Sequence, residues 1–103
     1  MPIDCKMERE QMRLLLTGEI DHHRAGVLMR QLEEQLDLES PTRVELDMGG
    51  VSFMDSSGIA LLLKIYRTLS LTGGKLSVVR VPAQAGKVLR AAGLQRLFSI
   101  SYL

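Results

Sequence analysis

The sequence predicts a small α/β domain built on a mostly parallel sheet, and two observations support this prediction. Apolar residues alternate with polar ones in short segments, as in strands, and recur every three to four residues in longer segments, as in helices. The segments follow each other in the order β-β-α-β-α-β-α-β, and strands that alternate with helices form parallel sheets through right-handed crossovers. We expect about five strands, including an antiparallel edge strand, flanked by three or more helices.

The first two strands are predicted to form a hairpin. Residues 3–7 and 12–17 both alternate apolar and polar side chains, and the charged run 8–11 between them is suited to a turn. Leu15 interrupts the second alternation, which predicts a strand covered on both faces. We expect Gly18 to end this strand.

The first helix is predicted to begin after Asp21, a candidate N-cap, and to end at Ser40-Pro41. Its apolar stripe falls at helical spacing. The members of this stripe are Ala25, Leu28, Met29, Leu32 and Leu36.

The middle of the chain predicts a strand, a short motif and a second helix. Residues 43–48 are strand-like, and Gly49-Gly50 is a break or bulge. Residues 51–54 follow, and the Asp55-Ser56-Ser57-Gly58 motif then opens the most apolar helix. Gly73-Gly74 closes that helix.

The remaining residues predict one further helix between two strands. The segment 75–81 is strand-like, and Pro82 suits a helix start. The apolar stripe that follows runs to Ala92, and Gly93 takes the position just past the helix end. Residues 98–103 would form the last strand.

Length and composition limit the classes of function. The 103 residues fit one domain over 1–103, with average apolar (46%) and charged (24%) fractions. A net charge of +1 without a clustered basic run argues against nucleic acid or an anionic membrane as partner. The single cysteine, Cys5, rules out an internal disulfide and a thiolate metal cage. No segment has the pattern of a membrane helix or signal peptide, so we expect a cytoplasmic protein. We also expect no cofactor.

Two predicted loops should meet at one edge of the sheet, because the carboxyl ends of parallel strands emerge together. These loops are residues 18–22 and 54–58. Polar side chains from both would then lie close together. They are Asp21, His22, Asp55, Ser56 and Ser57.

The Asp-Ser-Ser-Gly motif allows two interpretations. Asp and Ser at a helix start cap its backbone N–H groups, which stabilises the helix by about 1 kcal/mol. Alternatively, one hydroxyl carries a phosphoryl group, since a helix N-terminus offers free N–H groups and a favourable dipole to a dianion. Met54, at the same end, would be an exposed and adaptable contact for a partner.

Two kinds of chemistry compete with these interpretations. Ser56 with His22 or His23 could form a hydrolase dyad oriented by Asp21, although the motif lacks the Gly-x-Ser-x-Gly elbow of hydrolases. A metal site is the second alternative. The one cluster with suitable ligands is Asp21, His22, His23 and Asp55, and these residues do not have the spacing of a known metal site.

Two motifs carry a family resemblance that spans nearly the whole chain. The segments Leu-Thr-Gly-Glu-Ile-Asp-His-His-Arg-Ala (16–25) and Ser-Phe-Met-Asp-Ser-Ser-Gly-Ile (52–59) resemble the sporulation-type anti-sigma factor antagonists of the STAS family. The resemblance implies a binding module and not an enzyme. It also implies that Ser56 is phosphorylated by the cognate anti-sigma factor, a serine kinase with bound ADP or ATP.

The same resemblance implies how the module works. Unphosphorylated protein binds the anti-sigma factor and releases the sigma factor, phosphorylation ends this binding, and a PP2C-type phosphatase restores Ser56. Asp55, Ser57 and Gly58 would support the site, with Ser57 as the helix cap. The implied partner contacts are Asp21, His22, Met54, Asp55 and Ser56.

Two further expectations complete this interpretation. The chain ends soon after Phe98, where members of the family usually continue into a C-terminal helix, so a contact made by that helix is not expected. We expect a monomer when the protein is free, because helices are predicted to cover the sheet. The alternative function is a STAS subunit of another regulatory or lipid-transport complex.

Overall fold

The computed structural model describes residues 3–8 and 10–103, with Glu8 described by its backbone alone. The elements follow the predicted order, with one added 3₁₀ turn. They are β1 (Ile3–Glu8), β2 (Gln11–Ile20), α1 (His22–Glu39), β3 (Arg43–Met54), α2 (Ser56–Ser70), β4 (Lys75–Val81), α3 (Ala83–Ala91), the 3₁₀ turn (Leu94–Arg96) and β5 (Ser99–Tyr102). In the predicted turn 8–11, Glu10 forms a turn and Arg9 lies outside the described residues.

The strands form one sheet in the order β1-β2-β3-β4-β5. β1 pairs antiparallel with β2, and the remaining neighbours pair in parallel, which confirms the predicted sheet. Each parallel strand lies next to the one before it, and right-handed crossovers that advance in one direction place their helices on one face. The burial pattern of β2 agrees, since Met12, Leu14 and Leu16 are fully buried while Arg13 is exposed.

The opposite face of the sheet is open, so the prediction that helices cover both faces is wrong. Leu15 is half-buried because its side of β2 carries no helix. Ion pairs cross this face, from Arg13 Nε to Glu45 at 2.7 Å and from Arg80 Nη1 to Asp47 at 3.1 Å. Paired charges keep the open face hydrophilic. The monomer was predicted because helices were expected to cover the sheet, and this reason does not hold.

Glycines mark irregular pairing between β2 and β3. Gly18 has a φ of +86°, but the prediction that it ends β2 is wrong, because the strand continues through an irregularity to Ile20. The pairing shifts once near Gly49-Gly50, where a break or bulge was predicted, and again between Gly18 and Glu19. An extra residue on β3 at each shift keeps the two strands together up to their carboxyl ends.

The helices begin and end close to the predicted residues. Ser40 ends α1 in the left-handed conformation, and Gly93 follows α3 with a φ of +75°. Ala92, predicted to extend the apolar stripe, is exposed because α3 ends one residue earlier. The buried side of α2, centred on Leu61, Leu62 and Ile65, joins the sheet in one hydrophobic core.

Candidate functional site

The carboxyl ends of β2 and β3 bring the two predicted loops together. Ile20, the last residue of β2, pairs with Met54, the last residue of β3. The backbone N–H of Asp55 then donates to the Ile20 carbonyl oxygen at 3.2 Å. The helices α1 and α2 therefore begin next to each other at one edge of the sheet, as the sequence predicts.

Asp55 caps α2 from an extended backbone conformation (φ −106°, ψ −169°). Its Oδ1 accepts a hydrogen bond from the Ser57 backbone N–H at 2.8 Å, and its carbonyl oxygen accepts from the Gly58 N–H at 3.0 Å. Asp55 is therefore the N-cap of α2, and its support of a phosphorylation site stays a prediction. The prediction that Ser57 is the cap is wrong, because Ser57 supplies the N–H that Asp55 caps.

Ser56 is the first residue of α2 and is exposed, while its neighbours Asp55 and Ser57 are half-buried. In the described part of the chain, no hydrogen bond joins its hydroxyl to His22 or His23. The Ser57 and Gly58 N–H groups already donate to Asp55, so these two groups are not free to bind a phosphate in this conformation. A group attached to the Ser56 hydroxyl would instead face solvent.

A tight contact between Gly58 and the Met54 side chain supports the turn on the side of the core. Gly58 is buried, and a Cβ added there would overlap the Met54 side chain. Met54 is fully buried, so its predicted role as an exposed partner contact is wrong. The extra residue of β3 turns both Ser52 and Phe53 outward, and Phe53 is the exposed apolar side chain here, at 42% exposure.

Gln84 on α3 holds the end of β3 in place of a neighbouring strand. Its Oε1 accepts from the Met54 N–H and its Nε2 donates to the Met54 carbonyl oxygen, both at 2.8 Å. β4 pairs with β3 only as far as Asp47 and Val79, so Met54 lies beyond the ladder. Gln84 was not predicted from the sequence, because no local signal connects it to Met54, a residue 30 positions away.

The first turn of α1 completes the site. Asp21 is half-buried, and its Oδ1 accepts from the Arg24 backbone N–H at 2.9 Å, which confirms it as the N-cap. His22 and His23 are exposed. Among residues 3–8 and 10–103, no three His, Cys, Asp or Glu side chains are placed to hold a metal ion.

Across the described ranges, no helix has the length and apolar character that a membrane crossing requires.

Comparison with known proteins places this geometry in a family. The family model of the STAS domain matches residues 7–102. An anti-sigma F factor antagonist of Paenibacillus polymyxa is 27% identical over 100 residues, which cover 97% of this chain and 86% of the relative. An anti-sigma F factor antagonist of Lysinibacillus sphaericus is 30% identical over 86 residues, which cover 84% of this chain and 74% of the relative.

Solved structures give the same result. The anti-sigma factor antagonist SpoIIAA in its unphosphorylated form has a TM-score of 0.82 at 26% identity, covering 95% of this chain and 86% of that one. The Bacillus cell-fate determinant SpoIIAA in its phosphorylated form has a TM-score of 0.74 at 26% identity, covering 95% and 89%. The fold, the two motifs and these matches together show that the chain belongs to the STAS-domain family, among its anti-sigma factor antagonists.

Proposed function

We propose that this protein is a phosphorylation-controlled antagonist of an anti-sigma factor. Unphosphorylated, it acts as one cytoplasmic STAS domain that binds an anti-sigma factor, itself a serine kinase with bound nucleotide, and frees the sigma factor. Phosphorylation of Ser56 by that kinase ends the binding, and a PP2C-type phosphatase reverses it. The observation that supports this proposal is the exposed Ser56 hydroxyl on a rigidly held turn.

Exposure and bonding favour Ser56 over Ser57 as the phosphate acceptor. Phosphoryl transfer depends on positioning the acceptor oxygen in line with the leaving phosphate, which requires an accessible hydroxyl on a fixed backbone. Ser56 is exposed, whereas Ser57 is half-buried and its N–H is bonded to the Asp55 carboxylate. The turn that fixes Ser56 is held by Asp55, Gly58 and Gln84, none of which uses the Ser56 hydroxyl.

The phosphate acts on binding through local charge. It adds about −1.5 to −2 charge beside the Asp55 carboxylate. In the free protein this charge stays solvated, because Ser56 is exposed and the N–H groups of Ser57 and Gly58 already donate to Asp55. Under a docked partner it must lose water, and an unpaired buried charge costs several kcal/mol, where about 1.4 kcal/mol is already tenfold in affinity.

The same arrangement predicts that phosphorylation leaves the fold unchanged. No contact that holds the turn has to break when the Ser56 hydroxyl is modified. Amide chemical-shift changes should therefore stay near residues 20–23 and 53–60. Large changes across the whole sheet would contradict a purely local switch.

The partner surface that we propose surrounds this turn. Asp21, His22, Asp55 and Ser56 remain in it, and exposed Phe53 replaces Met54, which is buried. An exposed aromatic side chain beside a polar turn is a common anchor at protein interfaces.

Phosphate mapping tests the proposal. The chain is incubated with its cognate anti-sigma factor and ATP, and peptides are mapped by mass spectrometry. We expect one phosphate on Ser56, none on the Ser56→Ala protein, and normal modification of the control Ser57→Ala. Ser56→Ala should still bind the anti-sigma factor, and Ser56→Asp should bind weakly. No phosphate after exhaustive incubation would contradict the proposal and favour a STAS subunit of another complex.

A further inference from the structure

The charges of this protein are divided along the chain, although they nearly cancel in total. All twelve acidic residues lie at or before Asp55, where six basic residues accompany them. Residues 56–103 contain seven basic residues and no acidic one. A net charge of +1 therefore hides a strongly acidic part and a strongly basic part.

The fold turns this division into separate surfaces. α1, α2 and α3 lie on the same face of the sheet, and α2 contacts both of the others. The second half of α1 exposes Glu34, Asp37 and Glu39. The outer sides of α2 and α3 expose basic side chains, which gives the helical layer an acidic and a basic side.

The basic side begins at the proposed phosphorylation site. Exposed residues of α2 recur at helical spacing from Ser56 through Ala60, Lys64 and Arg67 to Leu71, which is 87% exposed. At a rise of about 1.5 Å per residue, this stripe is about 22 Å long. On α3, exposed Lys87 and Arg90 lie one turn apart. We call these exposed residues of α2 and α3 the basic surface.

Among the side chains that the structure describes, no carboxylate forms an ion pair with the basic surface. Across the described ranges, ion pairs join Arg13 to Glu45 and Arg80 to Asp47 on the open face of the sheet. Lys64, Arg67 and Lys87 have no such partner there, and the Arg90 guanidinium lies over the Tyr102 ring at 5.0 Å.

We propose that the basic surface is a docking surface for a complementary acidic face of the anti-sigma factor, extending from Ser56 along α2 and α3. This inference rests on the proposed function. A partner that phosphorylates Ser56 must cover the start of the stripe, so the rest of the stripe lies next to the bound partner. Complementary charge across such a surface speeds association and selects the partner.

Because Ser56 lies on this surface, its phosphate also weakens the charge attraction between the surface and the partner. An acidic partner face that is attracted to Lys64 and Lys87 would be repelled by a dianion placed at the head of the same stripe. The position of Ser56 at the head of the stripe favours the anti-sigma factor over nucleic acid or an anionic membrane as occupant, since a kinase that phosphorylates Ser56 must cover this end of the surface.

Charge reversal with a matched control tests this inference. Lys64→Glu and Lys87→Glu change the basic surface on two helices, and Arg30→Glu makes the same charge change at an exposed position of α1. Binding of each chain to the anti-sigma factor with ADP is measured by titration calorimetry from 50 to 400 mM NaCl (about threefold in Debye length). Thermal unfolding verifies that each variant is folded.

We expect wild-type affinity to fall as salt rises, and Lys64→Glu and Lys87→Glu to bind about tenfold more weakly with a shallower salt dependence. Arg30→Glu should bind within about twofold of wild type. Equal affinities for all four chains would overturn the docking surface and leave the proposed function standing. Failure of the wild-type chain to bind the anti-sigma factor would overturn both.

Two further outcomes assign the surface to another occupant. Binding of a 30-base-pair DNA duplex that Lys64→Glu and Lys87→Glu abolish would overturn the inference in favour of nucleic acid. Salt-dependent self-association in sedimentation, lost in the same variants, would overturn it in favour of a second copy of the chain.

Discussion

The turns at Asp21 and Asp55 begin adjacent helices at the same edge of the sheet, and their backbones are nearly the same. Asp21 has φ −106° and ψ −178°, and Asp55 has φ −106° and ψ −169°. Each carboxylate accepts a hydrogen bond from a backbone N–H of the first helical turn, that of Arg24 or that of Ser57. As helix caps, the two turns are equivalent.

They differ in what surrounds the cap. Two exposed histidines follow Asp21, whereas an exposed hydroxyl follows Asp55, with buried Gly58 two residues further on. Met54 fills the space under Gly58, and Gln84 holds the Met54 backbone from α3. A capping aspartate is therefore a local stabilising feature in both turns, and the additional support beneath Asp55 distinguishes the turn that we propose as the switch.

The largest effect on stability is expected at Gly58. Gly58→Ala places a Cβ against the buried Met54 side chain, and overpacking of this kind costs about 1–3 kcal/mol of unfolding free energy. Gly26→Ala in α1 is the matched control, because nothing lies within 4 Å of its added Cβ. We expect that control to gain about 0.5–1 kcal/mol from helix propensity. Urea unfolding measures both, and equal changes would contradict the proposed packing under Ser56.

A smaller loss of stability is expected at Gln84. Gln84→Ala leaves the N–H and carbonyl of Met54 without their side-chain partner, at a cost of about 1–2 kcal/mol. Gln84→Glu keeps an acceptor for the Met54 N–H but has no donor for the Met54 carbonyl oxygen, so one of the two hydrogen bonds is lost. Hydrogen exchange at the Met54 amide should accelerate in Gln84→Ala more than in Gln84→Glu. Unchanged exchange would show that the end of β3 is held without Gln84.

The smallest effects separate the two caps. Asp21→Ala and Asp55→Ala should each lose about 1 kcal/mol of unfolding free energy, because each removes one capping bond. Only Asp55→Ala should also slow phosphorylation of Ser56, since only that turn presents the acceptor hydroxyl. Equal phosphorylation rates for the two variants at saturating anti-sigma factor would contradict this division.

Features set by local sequence were predictable. The capping role of Asp21, the bulge near Gly49-Gly50 and the end of α1 at Ser40 each depend on a few neighbouring residues, and the structure confirms them. The order of elements follows from hydrophobic periodicity alone, so it too could be predicted.

Features that depend on long-range geometry were not predictable from periodicity. Two extra residues in β3 each shift the following side chains to the other face, and the second one, between Val51 and Phe53, leaves Phe53 exposed and Met54 buried. Gln84 reaches Met54 across 30 residues, and the open face of the sheet follows from the order of its strands. The division of charge was present in the sequence, but the total of +1 conceals it.

The affinity of the anti-sigma factor for two forms of one chain tests the central claim most directly. Titration calorimetry compares the unmodified protein with the protein carrying a single phosphate on Ser56, at the same nucleotide and salt concentrations. A local switch predicts at least about a tenfold loss of affinity, which corresponds to about 1.4 kcal/mol, with the melting temperature of the free domain nearly unchanged. Equal affinities for the two forms would contradict it.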